Sequence, residues 1–297
     1  MAVIIPGEIP TKDLHQYLLA IVAPRPIAFV STLDAQGITN LAPFSFFNCF
    51  SSNPPIVVFS ANRRVANNTT KDTLANIEAS RQCVINAVSH EIVRQVAICS
   101  CDFAREVDEF EMAGLTPVQS THVAPPRVAE SPAALECEVI QILPLGDQGG
   151  AGNLIICQVL CIHVHDDIVN ERHRIDPDKI DLMGRMGRMY YTRASGESIH
   201  EIIQAYSPIP VGYAALPDFI RHSEHLSAND VGTLAGLLAL PTDAEVDEFS
   251  HTDEIAALIA KEAKVTELIN YAKQALKENR KEDGAKAVYL AHRFINQ

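Results

Sequence analysis

Residues 134–143 (ALECEVIQIL) and 153–165 (NLIICQVLCIHVH) flank a short polar stretch, Asp147-Gln148-Gly149-Gly150-Ala151-Gly152. Both flanks read as extended chain, and the glycines between them supply a turn, so the segment predicts a long β-hairpin. The competing reading is a dinucleotide-binding turn. That turn needs a strand, a glycine-rich bend and then a helix, because the pyrophosphate sits on the helix N-terminus. Here a second extended run follows the glycines. The segment therefore points to an antiparallel sheet rather than a doubly wound one.

Outward from this hairpin, short strands recur. Residues 27–33 (IAFVSTL) and 38–42 (ITNLA) flank Asp34-Ala35-Gln36-Gly37 and read as a second hairpin. Residues 44–50 (FSFFNCF), 56–60 (IVVFS) and 83–88 (CVINAV) are also extended, with Asn53-Pro54-Pro55 breaking the chain between the first two. Helical spacing appears at Leu74 and Ile77 within 70–80, and again between His90 and Cys99. Four prolines, Pro117, Pro125, Pro126 and Pro132, mark 114–132 as a connecting loop. Short strands with only short helices between them predict an antiparallel barrel, a mainly β fold with short flanking helices.

The pattern changes after about residue 195. Ile255, Leu258, Ile259, Val265, Leu268, Ile269, Ala272 and Leu276 form an apolar stripe that predicts one amphipathic helix over 254–278. Thr242 or Asp243 opens an earlier helical turn. Gly284 is expected to end one helix before another from Lys286 to Phe294. The expected division is a barrel domain at 1–195, a connecting segment packed on it at 196–240, and a helical C-terminal extension at 241–297.

The chain has 297 residues, with 37 acidic against 24 basic, for a net charge of −13. That balance argues against nucleic-acid binding, which needs a basic footprint. No apolar run approaches the roughly 20 residues that span a bilayer. Met1–Thr11 lacks the pattern of a signal peptide, so no membrane association is expected. Seven cysteines, mostly inside apolar stretches, suit a reduced, cytoplasmic protein.

Most chemical motifs dissolve on inspection. His163 and His165 would share a strand face before Asp166 and Asp167, but no further ligand has convincing spacing, so no metal site is assigned. Cys99-Ser100-Cys101 has the wrong spacing for a redox pair. Asn68-Thr69-Thr70-Lys71-Asp72-Thr73-Leu74 is more informative, because hydroxyl and charged groups gather where a helix begins. The positive end of a helix with Thr70, Lys71 and Thr73 makes a cradle for one phosphate. A plain N-cap by Thr or Asp accounts for the same residues. Arg63 and Arg64 add positive charge upstream.

Several separate stretches resemble one family. They are Arg25-Pro26-Ile27-Ala28-Phe29-Val30-Ser31-Thr32, Asn40-Leu41-Ala42-Pro43-Phe44-Ser45, Pro54-Pro55-Ile56-Val57-Val58-Phe59-Ser60 and Lys71-Asp72-Thr73 with Asn76-Ile77. Their order and spacing resemble the flavin reductase-like family, FMN-binding split-barrel proteins similar to flavoredoxin and to reductase components of two-component monooxygenases. The resemblance covers roughly residues 5–195. It implies an antiparallel split β-barrel that forms a homodimer and binds FMN. It also implies that Ser31 and Thr32 meet the flavin's polar edge, that Asn40 and Ala42, Pro43, Phe44 and Ser45 run beside the ring, and that Phe46 packs on it. Ser60, Asn62, Lys71 and Thr73 would hold the ribityl chain and phosphate, with Arg25 and Asp72 completing the cofactor set. No side-chain acid or base is assigned a catalytic role. Gly184–Tyr191 resembles the family's segment near the barrel's end but departs from it at Arg188, where a second glycine is implied.

The implied activity is an FMN-dependent oxidoreductase. NAD(P)H is the co-substrate, and electrons pass on to a small-molecule or protein acceptor. The alternative is an FMN-binding electron-transfer or sensor protein without significant NAD(P)H turnover.

Overall fold

The two extended runs beside the glycine loop pair antiparallel along their whole length, from Ala133 opposite Val164 to Pro144 opposite Asn153. The computed structural model describes residues 1–202 and 208–295. They fall into two units, Met1–His200 and Glu201–Gln297.

The first unit opens with helix α1 (Thr11–Ile21) and strands β1 (Ala28–Leu33), β2 (Thr39–Phe44), β3 (Phe47–Ser52) and β4 (Pro55–Ser60). Helix α2 (Asp72–Ser80), strand β5 (Gln82–Asn86) and two short helices, α3 (Val93–Ile98) and α4 (Glu109–Ala113), follow. The proline-rich connection contains the pair β6 (Pro117–Val118) and β7 (Arg127–Val128). The long hairpin is β8 (Ala133–Pro144) and β9 (Asn153–Val164). Helix α5 (Pro177–Ile180) and a last hairpin, β10 (Leu182–Gly187) and β11 (Tyr190–Ala194), complete the unit.

Seven strands form one antiparallel sheet in the order β2-β1-β5-β8-β9-β4-β3. Its two ends, β2 and β3, are successive in the chain but share no ladder, so the barrel expected from the strand pattern is left open. The reason lies in the edges. Pro43 has no N–H to offer a neighbour, and β3 carries a register shift between Cys49 and Ser51. The sheet nonetheless curls until the edge strand β2 reaches β4, the strand next to the other edge: the rings of Phe44 on β2 and Phe59 on β4 are 5.2 Å apart.

Strand alternation assigns the two faces. Ala28, Val30, Phe44, Phe59, Ile85 and Ile155 point inside the curl, where Leu74 and Ile77 of α2 join them. Ile27, Phe29 and Leu41 face the other way and pack with Val96 and Phe110 of α3 and α4. The glycine loop has its own packing reason. A Cβ on Gly152 would lie 2.7 Å from Ser60 Oγ, and one on Gly149 2.9 Å from the Val65 carbonyl. The proline-rich connection is pinned across the sheet by buried polar side chains. Ser31 donates to the Pro126 carbonyl, Asn86 accepts from the Val128 amide, and Glu136 accepts from those of Thr121 and His122.

The second unit contains α6 (Asp218–Arg221), α7 (Ala228–Ala235), α8 (Asp243–Ser250), α9 (Asp253–Ile259), α10 (Lys264–Lys277) and α11 (Lys281–Ile295). Thr242 caps α8 in a reciprocal box with Glu245. The stripe read as a single helix over 254–278 is two helices, broken at 260–263, so that Ile255 and Leu268 both reach one core. Gly284 lies inside α11 rather than at a helix end. Its missing side chain lets α11 approach α10, since a Cβ there would lie 2.7 Å from Leu276 Cδ2. Leu216, Ile220, Leu226 and Leu234, from the stretch expected to connect, share this same core.

All seven cysteines are free thiols, and Cys83, Cys99, Cys137 and Cys157 are buried. Among the described residues no helix is long and apolar enough to cross a membrane.

Candidate functional site

The residues expected to cradle a phosphate lie at the start of α2. Lys71 occupies the N-cap position in extended conformation, and no side chain caps the helix. The Leu74 amide donates to the Lys71 carbonyl at 3.0 Å, which leaves the Asp72 and Thr73 amides for an outside acceptor. Arg64 braces the preceding loop, donating through Nη1 to the Thr70 carbonyl (2.6 Å) and through Nη2 to Asp102 (2.8 Å). Lys71 Nζ lies 3.8 Å from the same carboxylate. The hydrogen bond from Arg64 holds the Asp102 carboxyl below its ordinary range, against a smaller opposing effect of burial. Asn40, Ala42, Arg64, Lys71 and Thr73 meet around one small polar recess.

Asn40 is the junction of this recess. Its Oδ1 accepts from the Thr73 hydroxyl (2.6 Å), and its Nδ2 donates to Glu109 Oε1 (2.9 Å). The second oxygen of Glu109 accepts from the Leu41 amide at 3.0 Å. Burial pushes the Glu109 carboxyl up, while the Leu41 and Asn40 hydrogen bonds pull against that rise. Glu109 thus sets the orientation of Asn40 from 69 residues away in sequence.

The same strand, β2, continues into a larger space. Pro43, Phe44 and Ser45 form one wall of a cavity of about 420 Å³, and Arg185, Arg188 and Tyr191 line it as well. The Arg185 guanidinium stacks over the Tyr191 ring at 4.5 Å and donates to the Arg188 carbonyl at 2.8 Å. Arg188, where a glycine was implied, has φ +49°, in the left-handed region. The turn keeps the backbone a glycine would favour and carries a guanidinium instead.

Of the other expected site residues, Asp72 lines the recess and Thr32 approaches Asn40, while the rest lie elsewhere. Ser31 and Thr32 are both fully buried, and they point to opposite faces of β1. Ser31 holds the proline-rich connection, and Thr32 accepts from Asn76 at 3.0 Å. Arg25 directs Nη1 to the Leu19 and Val22 carbonyls at the end of α1, both at 2.6 Å. Phe46 packs edge-on to His15, with the Arg25 guanidinium 5.9 Å from its ring. Ser60 donates to Asn62, which in turn donates to the Gly150 carbonyl of the glycine loop. Asp72 lies at the mouth of the polar recess.

Sequence reasoning missed Asp102, Glu109 and Arg185 as parts of this region. Arg64 was flagged only as upstream positive charge. Nothing local marks Glu109, whose partners are set by the fold.

The arrangement suits a ligand with an anionic tail and a flat, partly apolar head. The recess, of about 20 Å³, sets the cations of Arg64 and Lys71 beside the carboxylates of Asp72, Asp102 and Glu109 at the start of α2. The cavity at the other end of β2 offers proline, phenylalanine and tyrosine surfaces. These residues fit an FMN-type flavin.

Comparison with known proteins bears on the family and the fold. A profile of the flavin reductase like domain matches residues 22–193. A protein of Aquifex aeolicus (strain VF5) is 39% identical over 190 residues, covering 64% of this chain and 94% of its own. The crystal structure of nitrilotriacetate monooxygenase component B from Bacillus cereus superposes with a TM-score of 0.63 at 28% identity, over 69% of this chain and 98% of that one. A Shewanella frigidimarina protein with a split barrel domain shares the fold, with a TM-score of 0.57 at 24% identity, over 66% and 94% of the two chains.

Proposed function

The chain belongs to the flavin reductase-like family, and from that premise we propose that it is an FMN-dependent oxidoreductase that takes hydride from NAD(P)H. The observation that carries the reading is the path of β2. It runs from the recess of Arg64 and Lys71 to the cavity walled by Pro43, Phe44 and Tyr191. The curled, unclosed sheet on which this path lies resembles the split barrel of its structural neighbours.

When bound, the flavin supplies the redox chemistry, accepting hydride and passing electrons onward. The protein's part is positioning and charge. Arg64, Lys71 and the first amides of α2 hold the phosphate. Asn40, fixed by Thr73 and Glu109, shapes the wall of the recess. Pro43 and Tyr191 wall the ring cavity. Arg185 and Arg188 place positive charge at the same cavity, where an anionic hydride donor or acceptor would dock. No side-chain acid or base is required.

The exposed apolar side chains of Phe50, Ile140, Leu160 and Ile162 support a homodimer built on this sheet. A cytoplasmic setting fits the seven free thiols.

The test is anaerobic mixing of the FMN-loaded protein with NADH and with NADPH. Loss of the flavin's visible absorbance with either donor is expected. Absorbance unchanged over minutes with both would leave a flavin carrier or sensor in place of a reductase.

A further inference from the structure

Away from the β2 path, one face of the long hairpin brings a carboxylate, a thiol and an imidazole to a single point. Glu136 on β8 lies directly opposite Cys161 on β9, and His163 follows two residues on, on the same strand face. One ligand atom from each falls within 4.8 Å of the others. We propose that Glu136, Cys161 and His163 form a metal site for a borderline-soft divalent cation, Zn²⁺.

The geometry separates this reading from a catalytic relay. In a thiol–imidazole–carboxylate relay, the ring is contacted through both nitrogens, one for the thiol and one for the acid. Here a single nitrogen, His163 Nε2, faces both groups, 3.6 Å from Cys161 Sγ and 2.6 Å from Glu136 Oε1. Three donors converging on one position is the arrangement of ligands about a shared cation. Bond lengths of about 2.0–2.3 Å in a tetrahedral zinc site separate its nitrogen and sulfur ligands by about 3.5 Å. The thiol and imidazole already stand at that spacing, and the carboxylate needs to draw back by less than about 1 Å.

Charge and access also fit. Binding releases the Cys161 thiol proton to solvent, and the proton held between His163 Nε2 and Glu136 Oε1 leaves with it or passes to Nδ1, so a thiolate and a carboxylate together neutralise the 2+ ion. Glu136 is fully buried, and amides of Thr121 and His122 hold its two oxygens. Such support orients a ligating carboxylate. Cys161 and His163 are only partly buried, which leaves the fourth position open to water. His165 does not take part; it lines a different cavity beside Ser89 and Lys179.

The full-length protein, stripped with chelator, is dialysed against Zn²⁺ and, separately, against Co²⁺. One zinc per chain is expected to remain after desalting. The cobalt form should show ligand-field bands at the red end of the visible spectrum, beyond the absorption of oxidised flavin. Cys161→Ser and His163→Gln should each weaken zinc binding by at least about 100-fold, with folding checked by circular dichroism. If either variant fails to fold, the wild-type stoichiometry and cobalt spectrum decide alone. No retained zinc, or equal retention in wild type and both variants, would mean that His163 and Glu136 form only an ion pair.

Discussion

Replacing Lys71 with alanine separates the phosphate contribution from the rest of flavin binding. Lys71 is the N-cap residue of an otherwise uncapped α2, and its ammonium shares Asp102 with Arg64. A hydrogen bond to a charged group contributes about 1.5–3 kcal/mol. The Lys71 side chain is 26% exposed, and Asp102 already balances part of its charge, so the lower end applies. At roughly 1.4 kcal/mol per factor of ten, the Kd for FMN should rise about tenfold. Riboflavin lacks the phosphate and should bind the variant as it binds the wild type. Quenching of flavin fluorescence, titrated with both ligands in parallel, reads the two constants directly. Added salt should shrink the FMN effect, since the site is partly open to solvent. Thr73→Ala is the internal control. Thr73 is fully buried and its hydroxyl serves Asn40, so its loss should weaken both ligands. An equal change for FMN and riboflavin in the Lys71 variant, or no change at all, would refute the phosphate assignment.

Other predictions follow from particular contacts. Glu109 has its carboxyl pKa raised chiefly by burial, so the folded state holds its proton to higher pH than the unfolded chain does. Its contribution therefore makes stability fall as pH rises from the ordinary glutamate range through the raised folded value, and Glu109→Gln should flatten that slope in urea titrations across pH. Gly284→Ala gains about 1 kcal/mol of helix propensity but overpacks Leu276 at a cost of about 1–3 kcal/mol, so the helical unit should melt earlier. Gly232→Ala in α7, with nothing within 4 Å of the added Cβ, should instead raise stability by about 1 kcal/mol. Arg188→Gly should relieve about 1 kcal/mol of left-handed strain while raising the KM for NAD(P)H; an unchanged KM would remove Arg188 from the donor's path.

The sequence made legible whatever depended on local pattern. The long hairpin, the helix after Lys71 and the cap at Thr242 each have their signal within a few residues. What it hid depended on register and distance. Period-two alternation forbids Ser31 and Thr32 from facing one ligand, yet only the packing of Pro126 and Asn76 shows that both are occupied inside the fold. Cys161 and His163 were visible singly, but Glu136 joins them only through the cross-strand pairing of β8 and β9. Gly284 has the look of a helix terminator because glycine usually is one. A close helix–helix approach leaves no separate mark in a single sequence. Helix α1 carries Leu14, Tyr17, Leu18 and Ile21 at helical spacing, a local signal that the reading of the sequence passes over, although none of its residues is buried.

The central claim is that the cleft along β2 holds FMN. Its most direct measurement is the visible spectrum and released ligand of the protein after loading with FMN and desalting. The account predicts a yellow protein that yields one FMN per chain on heat denaturation. A colourless protein that releases no flavin would contradict it.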